Sequence, residues 1–268
     1  MIYGFLGAGN MASAIIRGMV KGGFKGEEIS VYNTTVAKSE ALSAECGIDV
    51  CLSQKELIEK ADVLVLSVKP QVLDKIADSI KADLDGKKKL IISIAVGKTL
   101  EYLENALGNE QSIVRVMPNI NAKVLASCSG FCTNKNVNTE EKVVVENIFS
   151  SVGSITEIPE SQFSIFGVVA GSSPAFAYLY IDSLARAAVK AGMPKEKALQ
   201  IAAQTVLGSA KMVMESEEHP WKLVDMVCSP GGTTIEGICS LETNGFESTI
   251  HQAFDAVLAK DKLIQSGK

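Results

Sequence analysis

The start of the chain carries the feature that most limits its fold: an apolar run, a glycine-rich turn and a helical pattern. The run Ile2–Leu6 predicts a buried strand, and it leads directly into Gly-Ala-Gly-Asn-Met-Ala at residues 7–12. Beyond the turn, apolar side chains recur with helical spacing at Ile15, Ile16, Met19 and Val20. A strand, a Gly-x-Gly-x-x-Ala turn and a helix in this order are the context that a dinucleotide-binding turn requires.

The small residues of this turn each suit that chemistry. Gly7 allows a tight turn, Gly9 lets the backbone approach a pyrophosphate, and Ala12 lets the helix pack closely on the strand. The free N–H groups and the positive dipole end of the helix then face the phosphates. We therefore predict dinucleotide binding; the competing interpretation is an ordinary turn between a strand and a helix.

The end of the second predicted strand, Ile29–Tyr32, bears on the choice of dinucleotide. Domains that prefer NAD carry Asp or Glu here to hold the ribose 2′-OH. This strand ends instead in Asn33-Thr34-Thr35, and no acidic residue stands between the strand and Lys38. Neutral donors beside a lysine suit a 2′-phosphate, so we predict NADP(H), with NAD(H) as the open alternative. The same residues also suit a helix cap.

The first 158 residues alternate strand and helix signals, which predicts an α/β Rossmann-type doubly wound sheet. Two of the strands, Val63–Val68 and Leu90–Ile94, are continuous apolar runs, as in parallel sheets that are buried on both faces. The predicted strands are Ile2–Leu6, Ile29–Tyr32, Val63–Val68, Leu90–Ile94, Ile113–Met117, Ser127–Thr133 and Ser154–Glu157. The predicted helices between them are Met11–Lys21, Val36–Glu45, Gln54–Lys60, Gln71–Ile80, Thr99–Leu107 and Thr139–Val152.

Strand signals nearly vanish after Pro159, so residues 159–268 are predicted to form a separate all-α domain. The first helix, Ser161–Gly192, is rich in Ala and apolar residues, and Gly-Ser-Ser-Pro at 171–174 should kink it. So much apolar surface in a small helical domain predicts association with a second copy; a purely intramolecular core is the alternative. The other predicted helices are Lys195–Ser216, Trp221–Val227, Thr233–Thr243 and Phe246–Ser266.

Composition excludes several classes of partner. The net charge of −5 argues against nucleic acid and anionic membranes. No uninterrupted apolar run has the length of a membrane span, and no basic segment precedes the first strand, so we predict a cytoplasmic protein. The six cysteines form no Cys-x-x-Cys pair and the two histidines, His219 and His251, lie far apart, so no metal site is expected.

A second glycine-rich turn lies in the helical half. Ser229-Pro-Gly-Gly-Thr-Thr234 is a turn by composition and leads into the helix that begins near Thr233. Backbone N–H groups, three hydroxyl groups and a helix N-terminus converge there, which suits a small carboxylate. An ordinary capped helix is the alternative.

These motifs occur together, in the same order, in one known family. The chain resembles the pyrroline-5-carboxylate reductases over nearly its whole length, and the Ser229–Thr234 turn with its flanks is the most specific match. The matching segments are Gly7–Ala12, Ser67–Pro70, Ser93–Gly97, Arg115–Asn119, Gly171–Ala175 and Val227–Thr234, followed by Leu241-Glu242.

The resemblance implies hydride transfer from NAD(P)H to the C=N carbon of 1-pyrroline-5-carboxylate, which gives proline. It also implies a dimer joined through the helical domain, with assembly up to a decamer. Thr234 is the implied catalytic residue, near the ring nitrogen. The implied substrate-binding residues are Glu160, Ser229, Gly231, Gly232, Thr233 and Thr234. The implied cofactor-binding residues are Gly7, Ala8, Gly9, Asn10, Met11, Asn33, Thr34, Gln54, Ser67, Val68, Lys69, Pro70, Ala95, Met117, Pro118 and Asn119.

Two other functions stay open on the sequence. A β-hydroxyacid-type dehydrogenase would share the Rossmann half and would need a catalytic lysine, for which Lys190, Lys195 and Lys211 are candidates only by residue type. A non-enzymatic nucleotide-binding protein would keep the first glycine turn but would be expected to lose the second. The reductase fits the absence of histidine from these motifs, because a cyclic imine can collect its proton from water.

Overall fold

The computed structural model describes residues 1–265, and the chain divides into two compact units. The first unit is Met1–Gly171, and the second begins at Ser172. The predicted domain boundary after residue 158 was placed where the strand signals end. It stays a prediction about which residues bind the cofactor and which bind the substrate.

The first unit is built on one sheet of eight strands in the order β3-β2-β1-β4-β5-β6-β7-β8. All neighbouring pairs are parallel except β6 and β7, which are antiparallel. This arrangement confirms the predicted Rossmann-type α/β fold. The strands are β1 Tyr3–Leu6, β2 Ile29–Tyr32, β3 Asp49–Val50, β4 Val63–Leu66, β5 Leu90–Ser93, β6 Ser112–Met117, β7 Ser127–Thr133 and β8 Gly153–Glu157.

Helices cover both faces of this sheet. Alternate residues of the central strands enter opposite cores: Val63 and Val65 pack in one, Leu64 and Leu66 in the other. The helices of this unit are α1 Asn10–Lys21, α2 Val36–Cys46, α3 Gln54–Lys60, α4 Pro70–Leu84, α5 Leu100–Leu107, α6 Thr139–Ser150 and α7 Phe163–Phe166. The 3₁₀ turns are Gly26–Glu28, Ile120–Val124 and Glu160–Gln162.

The strand order reverses between β1 and β4, and a crevice forms at their carboxyl ends. β1 pairs with β2 on one side and β4 on the other, in register through Leu6, Tyr32 and Leu66. Gly7 continues that ladder by donating its N–H to the carbonyl of Tyr32 at 2.8 Å, and Ser67 donates to the carbonyl of Leu6 at 3.0 Å. Doubly wound sheets bind ligands at this switch point.

The predicted helix over 161–192 is not uniform. It contains the 3₁₀ turn, α7, a π-helix at Gly167–Ser172 and then α8. Pro174 stands in the first turn of α8, where its missing N–H is tolerated. Proline cannot donate to the carbonyl of Ala170, four residues back, and the Asn119 amide donates to that carbonyl at 2.9 Å. The predicted kink is therefore accommodated as a widened helical turn.

The second unit is helical. Its helices are α8 Ser173–Lys190, α9 Lys195–Glu215, α10 Pro220–Val227, α11 Thr233–Thr243 and α12 Phe246–Gln265. A small cluster of Ala185, Ala198 and Ala202 forms its buried centre. Large apolar side chains are nevertheless exposed, among them Leu179 at 67% and Met214 at 83%. By length and composition alone, the helical stretch Glu160–Lys190 would suffice to cross a membrane.

Candidate cofactor and substrate sites

Gly7 and Gly9 are glycines for different reasons. Gly7 has a φ of +113°, which L-residues rarely adopt, and a Cβ there would lie 2.9 Å from the carbonyl oxygen of Ser67. A Cβ at Gly9 would meet no other atom of the described residues within 4 Å. The first glycine is therefore required by the fold, whereas the second leaves room beside the backbone for a ligand.

The N-terminus of α1 completes this turn. Gly9 is its N-cap residue, and no side chain of the described structure caps the helix there. The first N–H groups of the helix and its positive dipole end are therefore available to an anion. Within the first turn of the helix, Ala12 is only 1% exposed and packs in the core. The turn thus has the donors, the dipole and the clearance that a pyrophosphate needs.

Asn33 ties the end of β2 to the glycine turn. Its Oδ1 accepts from the Ala8 N–H at 3.1 Å, and its Nδ2 donates to the Thr35 carbonyl at 3.0 Å. Helix α2 begins after Thr35, which is its N-cap residue. The alternative interpretation, that Asn33 and Thr34 cap this helix, is wrong by one residue. Thr34 and Lys38 stay exposed.

A cavity of about 440 Å³ lies at the carboxyl edge of β1, β2 and β4. The structure brings together there most of the residues that were predicted to hold the pyrophosphate and adenosine. Its lining residues include Gly7, Ala8, Gly9, Asn33, Thr34, Lys38, Gln54, Ser67, Val68 and Lys69. Sequence reasoning missed Val72 and Ile76, which also line it; helical spacing from Lys69 into α4 would have placed them on the same face.

Like Asn33, the predicted cofactor residues Gln54 and Asn119 use their side-chain amides in hydrogen bonds within the protein. The Gln54 amide donates to Ser79 Oγ at 3.1 Å and to Asp83 Oδ2 at 2.7 Å. Asn119 is buried, and its Oδ1 accepts from the Asn121 N–H at 3.2 Å in addition to its amide bond to Ala170. The amide of Gln54 is therefore held toward α4, and that of Asn119 toward the π-helix.

A smaller cavity of about 150 Å³ follows β5 and β6. It brings together four residues that were predicted to meet the cofactor: Met11, Ala95, Met117 and Pro118. The remaining three line neither cavity. Pro70 is the first residue of α4, Asn10 lines a neighbouring cleft between α1 and α2, and Asn119 is buried.

Arg115 also lines the smaller cavity, and its charge is paired. The residue is 6% exposed, and its Nη1 donates to Glu160 Oε1 at 2.9 Å. The guanidinium carbon lies 4.3 Å from the centroid of the Phe163 ring. Glu160 Oε1 also accepts from the Leu100 N–H, the first of α5, at 2.8 Å. Glu160, predicted to bind substrate, thus has two protein partners within the first unit.

The second glycine turn lies in the helical unit, between α10 and α11. Gly231 has a φ of +68°, and the Gly232 N–H donates to the Ser229 carbonyl at 2.9 Å. Gly232 is the N-cap of α11 and no side chain caps this helix in the described structure. Ser229, Thr233 and Thr234 are exposed. The turn therefore presents hydroxyl groups and helix N–H groups to an incoming anion.

The cysteines do not assemble into a site. No group of three or more His, Cys, Asp or Glu residues among the described ones could hold a metal ion. Burial raises the pKa of the Cys132 thiol to about 12. Cys228, beside the second turn, is partly buried.

Comparisons with known proteins give the family. The chain is 41% identical over 265 residues to the pyrroline-5-carboxylate reductase of Escherichia coli, covering 98% of each chain. It is 40% identical to the enzyme of that name from Methanosarcina acetivorans, covering 99% of this chain and 97% of that one. The chain belongs to the pyrroline-5-carboxylate reductase family.

Family models and solved structures agree with this assignment. Residues 160–264 match the model for pyrroline-5-carboxylate reductase dimerisation, and residues 2–97 match the coenzyme F420-dependent NADP oxidoreductase model. The family member from Coxiella burnetii has 34% identity and a TM-score of 0.92, with 97% of each chain covered. The Plasmodium falciparum enzyme, solved with NADP bound, has 36% identity and a TM-score of 0.87, covering 99% of this chain and 98% of that one.

Proposed function

We propose that this chain reduces 1-pyrroline-5-carboxylate to L-proline, with NADPH as the hydride donor. The observation that carries the proposal is full-length similarity to enzymes of that name, at 41% identity over 98% of both chains. Residues 1–158 would bind the cofactor, and residues 159–268 would bind the substrate and a second copy of the chain.

The cofactor would lie along the carboxyl edge of the sheet. The backbone of Gly7–Met11 would hold the pyrophosphate, and the 440 Å³ cavity would take the adenosine with its 2′-phosphate near Thr34 and Lys38. Ser67–Pro70 would meet the ribose, and the residues around the smaller cavity would position the nicotinamide. When bound, NADPH supplies a hydride. NADH remains the alternative donor.

The substrate would be held by the second glycine turn. Its carboxylate suits the N–H groups of Gly231–Thr234 at the uncapped start of α11, and the Thr234 hydroxyl would lie near the ring nitrogen. A cyclic imine is reduced most easily when its nitrogen is protonated, and it can take that proton from water. Positioning and electrostatic stabilisation would then supply most of the rate without a strong side-chain acid.

The protein would act as a cytoplasmic homo-oligomer, with no nucleic acid or membrane partner. The match of residues 160–264 to a dimerisation model supports a dimer through the helical domain. The apolar surface exposed on α8 and α9 would be buried against the second copy. Assembly of dimers up to a decamer is part of the same proposal.

The alternative functions have less support. Lys190, Lys195 and Lys211, the lysines available to a β-hydroxyacid-type dehydrogenase, are all exposed. Lys211 also pairs with Glu215 one turn along the helix at 3.5 Å. A purely nucleotide-binding protein has no use for the second turn, which is intact in this chain.

Thr234→Ala tests the assignment of the substrate turn. We expect turnover of 1-pyrroline-5-carboxylate to fall at least about tenfold while the Kd for NADPH changes less than about twofold, because the residue meets only the substrate. Thr234→Ser, which keeps the hydroxyl, is the matched control and should retain most activity. Unchanged turnover in Thr234→Ala would remove this residue from the mechanism.

A further inference from the structure

The pair Arg115–Glu160 contains Arg115, the one charged residue of the first unit that is buried, to which the proposed reaction assigns no role. Arg115 lies on β6 with a side chain 7% exposed, and Glu160 lies in the 3₁₀ turn with a side chain 32% exposed. Removing an arginine from water is costly unless a partner compensates its charge. The 2.9 Å bond to Glu160 and the nearby Phe163 ring provide that compensation.

The charge of Arg115 lies beside the cavity that is proposed to hold the nicotinamide. Arg115 lines the 150 Å³ cavity together with Met11, Ala95 and Met117, the residues proposed to position the nicotinamide. A nicotinamide ring is neutral in NADPH and carries a positive charge in NADP⁺. An uncompensated guanidinium beside that cavity would therefore disfavour the oxidised form relative to the reduced form, because charges interact strongly where water is excluded.

We propose that Glu160 is a positioning residue for the cofactor site: it holds Arg115 in place and balances its charge, so that the oxidised cofactor is not repelled. The inference rests on the proposed function, because it places the nicotinamide at this cavity. Glu160 also accepts from the Leu100 N–H at 2.8 Å, and so joins β6 and the start of α5 to the 3₁₀ turn that precedes α7.

The Kd values of NADP⁺ and NADPH, measured by calorimetry on the same purified full-length protein, test this. Glu160→Gln keeps an oxygen acceptor for Leu100 and removes the charge. We expect the ratio of the NADP⁺ Kd to the NADPH Kd to rise about fivefold, since the guanidinium is left unbalanced. Arg115→Met leaves the carboxylate unbalanced and should move the ratio the other way, by about twofold because Glu160 is more exposed.

Two control variants separate charge from structure. The double variant Arg115→Met with Glu160→Gln should return the ratio to the wild-type value. Glu157→Gln makes the same change in net charge at an exposed pair with Lys142, and it should leave the ratio unchanged. If Glu160 had a purely structural role, its substitution would raise the Kd values of NADP⁺ and NADPH by the same factor and leave their ratio unchanged.

The outcomes are distinguishable. A ratio that stays within twofold of wild type in Glu160→Gln would overturn the inference; if that variant does not fold, an unchanged ratio in Arg115→Met would do so. Failure of the wild-type protein to bind either form would instead overturn the proposed function. Opposite shifts in the two single variants would establish the charge balance.

Discussion

At the scale of single residues, we expect Gly7 to be needed for folding and Gly9 to be needed for cofactor binding. Gly7→Ala places a Cβ 2.9 Å from the Ser67 carbonyl at a φ of +113°, so we expect a loss of about 1–3 kcal/mol in the free energy of unfolding. Gly9→Ala meets no such obstacle among the described residues. It should leave the melting temperature nearly unchanged and raise the NADPH Kd about tenfold or more, because the methyl group takes the space proposed for the pyrophosphate.

Thermal melts and NADPH titrations on the same two variants check this contrast, each serving as the control for the other. Equal loss of stability in both, or unaltered NADPH binding by Gly9→Ala, would contradict the assignment of the turn.

The two cysteines of β7 should differ sharply in reactivity. Cys128 is exposed, whereas Cys132 is buried and its pKa is raised to about 12 by burial. The thiolate is the reactive form, so iodoacetamide at pH 8 should modify Cys128 and leave Cys132 unmodified in the native protein. Peptide mass mapping measures this, with the denatured protein as the control. Native modification of Cys132 at the rate of Cys128 would contradict the burial.

The direction of the Cys132 pKa also fixes a pH dependence of stability. Its folded pKa, about 12, is above the ordinary value of 9.0, so the native state favours the neutral thiol. The resulting stabilisation is complete below about pH 9 and is lost as the pH rises through about 12. Cys132→Ser should weaken the fall in melting temperature over that range.

At the scale of elements, the turn between β2 and α2 is expected to select the cofactor. Thr34 is exposed there and lines the larger cavity. Thr34→Asp adds a carboxylate that would repel a 2′-phosphate and accept from a 2′-OH, so the ratio of NADPH to NADH activity should fall about tenfold or more. Steady-state kinetics with both cofactors measures it. Thr34→Asn, similar in size and neutral, is the matched control and should keep the wild-type preference.

The elements also show what the sequence can predict. Long apolar strands were located to within a residue or two, because burial on both faces of a parallel sheet leaves a continuous apolar run. The two-residue strand Asp49–Val50 was missed, because a pairing so short has no periodicity of its own. The helix over 161–192 was predicted as one element, since apolar spacing does not distinguish a π-turn from an α-turn.

The candidate site also contains residues that the sequence could predict and residues that it could not. The glycine turn was visible because it is contiguous in the chain and each residue has a local requirement. The Arg115–Glu160 pair was not, since its partners are 45 residues apart and meet only through the fold. An arginine inside an apolar strand was the one available signal. The walls that α4 contributes, Val72 and Ile76, likewise depend on where that helix packs.

At the scale of the whole molecule, the exposed apolar surface of the second unit should be an interface between copies. Leu179 on α8 is 67% exposed. Leu179→Glu would place a charge in that interface, so we expect a shift toward monomers in light scattering after size exclusion, with a lower melting temperature. Leu52→Glu, at a leucine of the first unit that is 84% exposed, is the control and should leave the assembly unchanged. A wild-type monomer at all concentrations would contradict the proposal.

The most direct test of the proposed function is the reaction itself. Purified protein is mixed with 1-pyrroline-5-carboxylate and either NADPH or NADH, and cofactor oxidation and proline formation are followed together. We expect one proline for each NADPH oxidised, and faster oxidation of NADPH than of NADH. Folded protein that binds NADPH yet forms no proline with either cofactor would contradict the assigned reaction and leave only the cofactor-binding fold.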